Sequence, residues 1–213
     1  MKYENIIFLD FDGTVTCEET LSGAMMRVIP ASVMAEYSKK LRNREISLTE
    51  TLHAAFDTMD SEKLGIMLDY YSKVPLRDHF GEFLDLAEKL GIPVVLLSGG
   101  LEPFVEATIK PFRDKFLDVY YVKVDMSGGK MKLISDHEGD GYLLMKDEVM
   151  KNYDYDHAIA VGDGITDVEM AKASDLVFAR DDLAKAMDAA GGEYVPWEDF
   201  GDIIAELKRR FGR

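Results

Sequence analysis

Four short runs of apolar residues punctuate the chain: Ile6–Leu9, Val94–Leu97, Ala158–Val161 and Leu176–Ala179. Each is followed by a turn signal and then by a helix-period pattern. Unbroken apolar runs of this length fit strands buried on both faces, and strands alternating with helices predict an α/β fold with a parallel, doubly wound sheet. From about Thr20 to Val74 the alternation stops. Met34, Tyr37 and Leu41, then Leu48, Leu52 and Phe56, recur at helical spacing with no strand-like run between them, which predicts a helical insert. Two β-rich segments, Val119–Val124 and Met131–Ile134, flank Ser127-Gly128-Gly129 and predict a hairpin or sheet extension. Tyr142–Met150 reads as a helix. Asp199–Phe211 reads as a closing helix with Asp199 or Asp202 near its start and Lys208-Arg209-Arg210 in its last turn, matching the helix dipole.

Composition narrows the function classes. At 213 residues and 47% apolar content, the chain can bury one large core and carry a smaller inserted lobe. Forty acidic against 25 basic residues give a formal charge of −15, which repels nucleic acid backbones and anionic membrane surfaces, so neither is an expected partner. A small phosphate ester is also an anion. A site for one must therefore invert the field locally with a metal ion, a lysine and backbone N–H groups. Cys17 is the single cysteine; it excludes an intrachain disulfide and a cysteine zinc cluster and fits a reducing compartment. No stretch reaches the roughly 20 apolar residues of a membrane span, and the start MKYENIIFLDFDG lacks the pattern of a signal peptide. A cytoplasmic location is expected, with a homodimer left open.

In doubly wound sheets ligands bind beyond the carboxyl ends of the strands, so the residues after each run are the candidates for chemistry. They are Asp10-Phe11-Asp12-Gly13-Thr14, Ser98-Gly99-Gly100, Gly162-Asp163-Gly164 and Arg180-Asp181. Gly13 lets the chain turn sharply and expose two carboxylates, one able to attack phosphorus and the other to protonate the leaving oxygen and then activate water. The alternative is that Asp10 and Asp12 merely cap the turn. Ser98, Gly99 and Gly100 offer a hydroxyl and open backbone N–H groups to phosphate oxygens, or form an ordinary strand-to-helix turn. Asp163 and Asp167 bring hard oxygens suited to Mg²⁺, although Asp167 also reads as a first-turn helix acid. Lys146 is the candidate cation, with Lys151 and Lys132 as competitors. The ordered recurrence of all four groups along one chain favours catalysis over chance.

These four segments together resemble the motifs of the haloacid dehalogenase superfamily. The resemblance implies a Rossmann-like core over 1–16 and 76–213 with a helical cap over 17–75. It also implies Asp10 as nucleophile, Asp12 as acid/base, Ser98 as phosphate ligand with Gly99 and Gly100, Lys146 as phosphate cation and Asp163 as Mg²⁺ ligand. Mg²⁺ would bind Asp10, Asp163 and the Asp12 carbonyl, with Asp167 supporting the site. Within the superfamily the chain is similar to the phosphoserine-phosphatase-type branch, where Glu19 falls at a substrate-facing acid. The arginine that holds the substrate carboxylate in that branch falls near Ala55 here, and nothing nearby clearly replaces it unless Arg42, Arg44 or His53 reaches the same place. The segments Ser174–Asp181 and Pro196–Phe200 are closer to the methionine-salvage phosphatases of the same branch, which act on a phosphorylated methylthio-keto-pentene compound. That similarity raises the expectation that Met25, Met26, Met34, Met59 or Met67 lines a thioether pocket.

The expected partner is a small phosphorylated metabolite and the expected cofactor Mg²⁺. A phospho-acceptor receiver module uses similar acids with a lysine and Mg²⁺, but needs neither a helical insert nor a second acid at Asp12. A phosphotransferase or mutase differs only in the acceptor of the phosphoryl group, and phosphoserine remains the alternative substrate. A nucleotide-dependent oxidoreductase is disfavoured, because the phosphate turn lacks Gly-x-Gly-x-x-Gly spacing.

Overall fold

The computed structural model describes residues 1–139 and 141–212. Its centre is a seven-stranded sheet of order β4-β3-β2-β1-β5-β6-β7. The strands are β1 (Lys2–Asp10), β2 (Val94–Leu101), β3 (Asp118–Asp125), β4 (Lys132–Ile134), β5 (Asp154–Gly162), β6 (Leu176–Ala179) and β7 (Val195–Pro196). All pairs are parallel except β3 with β4, which form the hairpin extension expected around Ser127-Gly128-Gly129. Only β7 had no sequence signal, since two residues are too short for any period to register.

The apolar runs divide their side chains between two cores, because successive strand residues point to opposite faces. Ile7, Leu9, Val94, Leu96, Ile159 and Val161 pack into one cluster; Ile6, Phe8, Val95, Leu97, Ala158 and Ala160 pack into the other. The first face is covered by α5 (Phe80–Leu90), α6 (Glu102–Ile109) and α10 (Phe200–Phe211), the second by α7 (Lys146–Met150), α8 (Val168–Lys172) and α9 (Asp181–Ala190). Burying each large apolar side chain contributes about 1.5–3 kcal/mol, so a strand covered on both faces is held strongly in register. Register matters here: Leu9 pairs with Leu96 on one side and Val161 on the other. That alignment brings the ends of β1, β2 and β5 to one edge.

The insert comprises α1 (Thr20–Val28), α2 (Ala31–Arg42), α3 (Leu48–Thr58) and α4 (Leu64–Tyr71). Ser47 starts α3 with a reciprocal cap, accepting from the Glu50 N–H at 3.1 Å while its own N–H donates to Glu50 at 2.7 Å. The two chain crossings into the insert pair with each other: Thr16 bridges Leu76, and the Cys17 N–H donates to Pro75 O at 3.0 Å. Further out, the insert is tied to the β3–β4 hairpin by Met131 N–H donating to Met59 O at 3.0 Å and Ser61 N–H to Gly129 O at 3.1 Å. His53 meets Glu138 at 2.8 Å.

Two sequence expectations are corrected. The helix expected over Tyr142–Met150 starts only at Lys146. Gly141 adopts φ +86°, Tyr142 pairs back to Gly139, and the Met145 N–H donates to His137 O at 2.8 Å, so Tyr142–Met145 are held as a loop. Ser98-Gly99-Gly100 does not follow β2 but lies within it, and the register with β3 shifts between Leu97 and Leu101 to accommodate the segment.

Candidate active site

At the carboxyl edge of the sheet the turn after β1 is forced by Gly13, whose φ of +82° lies in the left-handed region. A Cβ here would also stand 2.3 Å from Asp163 Oδ2, so glycine lets the loops after β1 and β5 close on each other. Across that contact the Thr14 hydroxyl donates to Asp163 Oδ1 at 2.8 Å. Asp10 ends β1, and Lys146 opens α7 with its ammonium hydrogen-bonded to Asp10 Oδ1 and, at 2.5 Å, to Asp167 Oδ1. Lys146, Asp10 and Asp167 are all buried. Lys151 and Lys132 stay exposed at the surface, Lys151 paired with Glu148.

Three buried carboxylates around one ammonium leave an excess of negative charge, and the electrostatics record it. Desolvation, then repulsion from Asp167, raises the Asp10 pKa well above the usual carboxylate range despite Lys146. Asp163 is raised for the same two reasons. Burial works against the Lys146 ammonium, but the attraction of Asp10 and Asp167 outweighs it and holds the lysine charged. Asp10, Asp163 and Asp167 each offer an oxygen within 4.8 Å of the others, a hard-donor set whose excess negative charge suits a divalent cation. Asp167 is the most committed of the three. Its Oδ1 takes Lys146 and its Oδ2 accepts the N–H groups of Asp163 and Gly164 at 3.1 and 2.9 Å.

Asp12 lies two residues on, and burial pushes its pKa up to about 6 even though donors from Tyr71 and Thr20 oppose the shift. Ser98 is fully buried; its hydroxyl accepts the Gly100 N–H at 2.9 Å and stands 3.5 Å from Asp12 Oδ2. Glu19 sits at the N-cap of α1 without capping it. The residue is open to the crevice, and desolvation followed by the Asp12 charge pushes its pKa up to about 7.

These groups floor a recess of about 140 Å³ walled by Leu21, Leu48, Leu52, Tyr142, Leu143 and Leu144. Asp10, Asp12, Glu19, Gly99, Lys146 and Asp167 line it; Ser98, Gly100 and Asp163 adjoin those residues without lining it. Among the described lining residues Lys146 is the one cation. Ala55, where the carboxylate-binding arginine falls by sequence, is fully buried among apolar side chains. Arg42, Arg44 and His53 do not line the recess, and His53 is taken by Glu138.

The thioether expectation fails for the methionines. None of Met25, Met26, Met34, Met59 and Met67 lines the recess: Met25, Met59 and Met67 fill the gap between insert helices, and Met26 faces solvent. Leucines and the Tyr142–Leu144 loop make the apolar wall instead. Sequence reading missed that loop because it read the segment as helix.

It also missed Tyr71, whose hydroxyl donates to Asp12 Oδ1 at 3.1 Å, and Arg77, which donates to Gly13 O at 2.5 Å and Thr14 O at 3.0 Å. Tyr71 reads simply as an apolar helix position. The C-terminal segment lies outside the recess, yet Trp197 donates to Gly162 O at 3.4 Å and its ring is flanked by Arg77 and Arg180.

Comparison with known proteins gives a consistent picture. Residues 4–175 match the family model described as haloacid dehalogenase-like hydrolase. The chain is 32% identical over 207 residues to a 2-hydroxy-3-keto-5-methylthiopentenyl-1-phosphate phosphatase of Microcystis aeruginosa, covering 96% of this chain and 98% of the relative. A Geobacillus kaustophilus protein of the same name is 29% identical over 222 residues, covering 98% of each. In three dimensions the chain is similar to phosphoserine phosphatase from T. onnurineus, with a TM-score of 0.68, 18% identity and coverage of 97% and 95%. At that identity the likeness speaks to the fold.

Proposed function

The chain belongs to the haloacid dehalogenase-like hydrolase family and is a phosphatase, and from that premise we propose that it hydrolyses a phosphate monoester with a small, uncharged, partly apolar organic part. The named activity of its relatives supplies the specific candidate, 2-hydroxy-3-keto-5-methylthiopentenyl-1-phosphate. The observation that carries this reading is the wall of the recess. Leucines and Tyr142 surround it, and no described lining residue besides Lys146 can pair a second anion. A bidentate arginine partner contributes roughly 1.5–3 kcal/mol, so a substrate bearing a free carboxylate is disfavoured by about 10- to 100-fold.

In the proposed chemistry the Asp10 carboxylate attacks phosphorus, the bond to the ester oxygen breaks, and Asp12 gives that oxygen its proton. Water then attacks the aspartyl phosphate, Asp12 takes back a proton, and inorganic phosphate leaves. Lys146 neutralises Asp10 and the phosphoryl oxygens, and Gly99, which lines the recess, receives those oxygens with the Ser98 hydroxyl and the Gly100 backbone directly behind it. Asp10 and Asp163, with the Asp12 carbonyl, would hold Mg²⁺, while Asp167, spent on Lys146 and two N–H groups, orients the site. Bound Mg²⁺ supplies charge neutralisation and alignment of the phosphoryl group. The segment 17–75 acts as a cap over the core of 1–16 and 76–213. Glu19 receives a hydroxyl of the substrate. The single free cysteine supports a cytoplasmic setting, and among the described residues no helix is long and apolar enough to cross a membrane.

The test is Mg²⁺-dependent phosphate release from phosphoserine, simple sugar phosphates and the methylthio-keto ester in parallel. The reading predicts that the keto ester exceeds phosphoserine in kcat/KM by about 10-fold or more. Phosphoserine as the best substrate would sink it.

A further inference from the structure

Asp12 is held asymmetrically, and the holders come from the insert. Its Oδ1 receives the backbone N–H of Thr20 at 3.3 Å, the Thr20 hydroxyl and the Tyr71 hydroxyl at 3.1 Å. Among the described residues its Oδ2 has only the Ser98 hydroxyl, at 3.5 Å, and it faces the space left by Gly100, where a Cβ would stand 2.7 Å away. Thr20 opens the first helix of the insert and Tyr71 ends the last, and α1 and α4 pack so closely that a Cβ on Gly23 would stand 2.3 Å from the Tyr70 hydroxyl. Tyr71 is buried, does not line the recess, and its ring stacks on Phe104 of α6 at 4.0 Å between centroids. A buried hydroxyl fixed by stacking and aimed at one carboxylate oxygen has no packing purpose that phenylalanine would not serve as well.

We infer that Tyr71 is a positioning residue for proton transfer: with Thr20 it occupies Asp12 Oδ1 and so assigns the exchange of the proton with the leaving group to Oδ2. The reasoning is one of valence. A backbone N–H can only donate, so the oxygen facing Thr20 N–H is an acceptor, and a carboxyl oxygen receiving three donors has no room to carry the proton itself. The proton then resides on Oδ2, on the side cleared by Gly100. Both ends of the insert thus meet at the group that moves the proton, and seating of the insert and readiness of Asp12 are one event.

This inference rests on Asp12 being the acid/base of the proposed function, and the experiment separates the two claims. Leaving groups of low pKa depart without a proton, so p-nitrophenyl phosphate bypasses the acid whereas an alkyl phosphate needs it, and kcat/KM reports the steps through release of the leaving group. Tyr71→Phe is expected to lower the alkyl-to-aryl ratio of kcat/KM by about tenfold, the effect of one lost hydrogen bond to the carboxyl. Asp12→Asn is expected to lower the same ratio further. If Asp12→Asn shifts the ratio and Tyr71→Phe does not, the positioning role is wrong and the acid assignment stands. If neither shifts it, the acid assignment itself is wrong. Thr20→Val removes the other hydroxyl from Oδ1 and is expected to reproduce the shift, with Thr20→Ser restoring it; this pair carries the test should Tyr71→Phe fail to fold, and an unchanged ratio in Thr20→Val would overturn the inference.

Discussion

Asp10 is costly to keep. It is desolvated, repelled by Asp167 and Asp163, and compensated by a lysine it shares. Such a group costs stability, in keeping with the chemical role proposed for it. Asp10→Asn therefore separates the two: turnover is expected to vanish while the metal-free protein melts at the same temperature or higher, because the amide removes a buried charge and Lys146 keeps Asp167. Retention of a tenth of kcat, roughly a 1.4 kcal/mol loss, would exclude Asp10 as nucleophile. Glu19 belongs to the same scale. Its carboxyl is free of capping duty and faces the recess, so Glu19→Gln is expected to raise KM more than it lowers kcat; steady-state kinetics showing the reverse split would place it in the chemical step instead.

At the level of elements, the turn after β1 is not self-supporting. Arg77, just past the insert, donates to Gly13 O, Thr14 O and, at 3.1 Å, Glu198 O, while Arg180 donates to the same Glu198 O at 2.7 Å. Two guanidiniums thus flank Trp197, and Arg77 clamps the turn after β1 to the segment after β7. Desolvation and then the nearby Arg180 charge lower the Arg77 pKa, the cost of concentrating cations here. Three donors at fixed angles are what a guanidinium offers and an ammonium does not. Arg77→Lys is expected to lose about 1–3 kcal/mol in denaturant unfolding and to lower kcat, since the loop carrying Asp12 loosens. Unchanged stability would mean that water replaces the lost contacts at no cost.

The whole molecule carries −15 charges, and four acids at the site, Asp10, Asp12, Glu19 and Asp163, share one sign of shift. A carboxyl whose folded pKa is raised contributes stability that is complete below its unfolded value and is lost as pH rises through the folded value. For Asp12 and Glu19 that window runs from about 4 up to about 6 and about 7, and Asp10 and Asp163 act in the same direction. Glu206 behaves oppositely: hydrogen bonds from Arg209 and Arg210 lower it to about 2, so its contribution fades only below the window. The metal-free protein is therefore expected to melt at a higher temperature at pH 5 than at pH 8. Added Mg²⁺ should stabilise it more at pH 8, where the carboxylates are ionised. Calorimetric scans at the two pH values, with and without Mg²⁺, check both signs, and a metal-free Tm that rises with pH would contradict the electrostatic account.

The order of apolar runs and turn residues determined the layered α/β sheet, the helical interval and the edge on which Asp10, Ser98 and Asp163 emerge, because burial on two faces and the turn at Gly13 are local consequences of residue type. The helical spacing of Leu48, Leu52 and Phe56 likewise marked α3, and the structure adds the Ser47–Glu50 cap that starts it. Only the tertiary structure decided what stands around Asp12 and what walls the recess. Tyr71 and Leu52 lie on faces that periodicity reads as ordinary core, Arg77 lies two residues beyond Pro75 with no pattern at all, and Tyr142–Leu144 lost its helix to a pairing with Gly139 and His137. The physical reason is range. Periodicity records which side of an element is buried, whereas the partner that a buried side chain meets is set by how the insert seats on the sheet, across 59 residues for Tyr71 and Asp12.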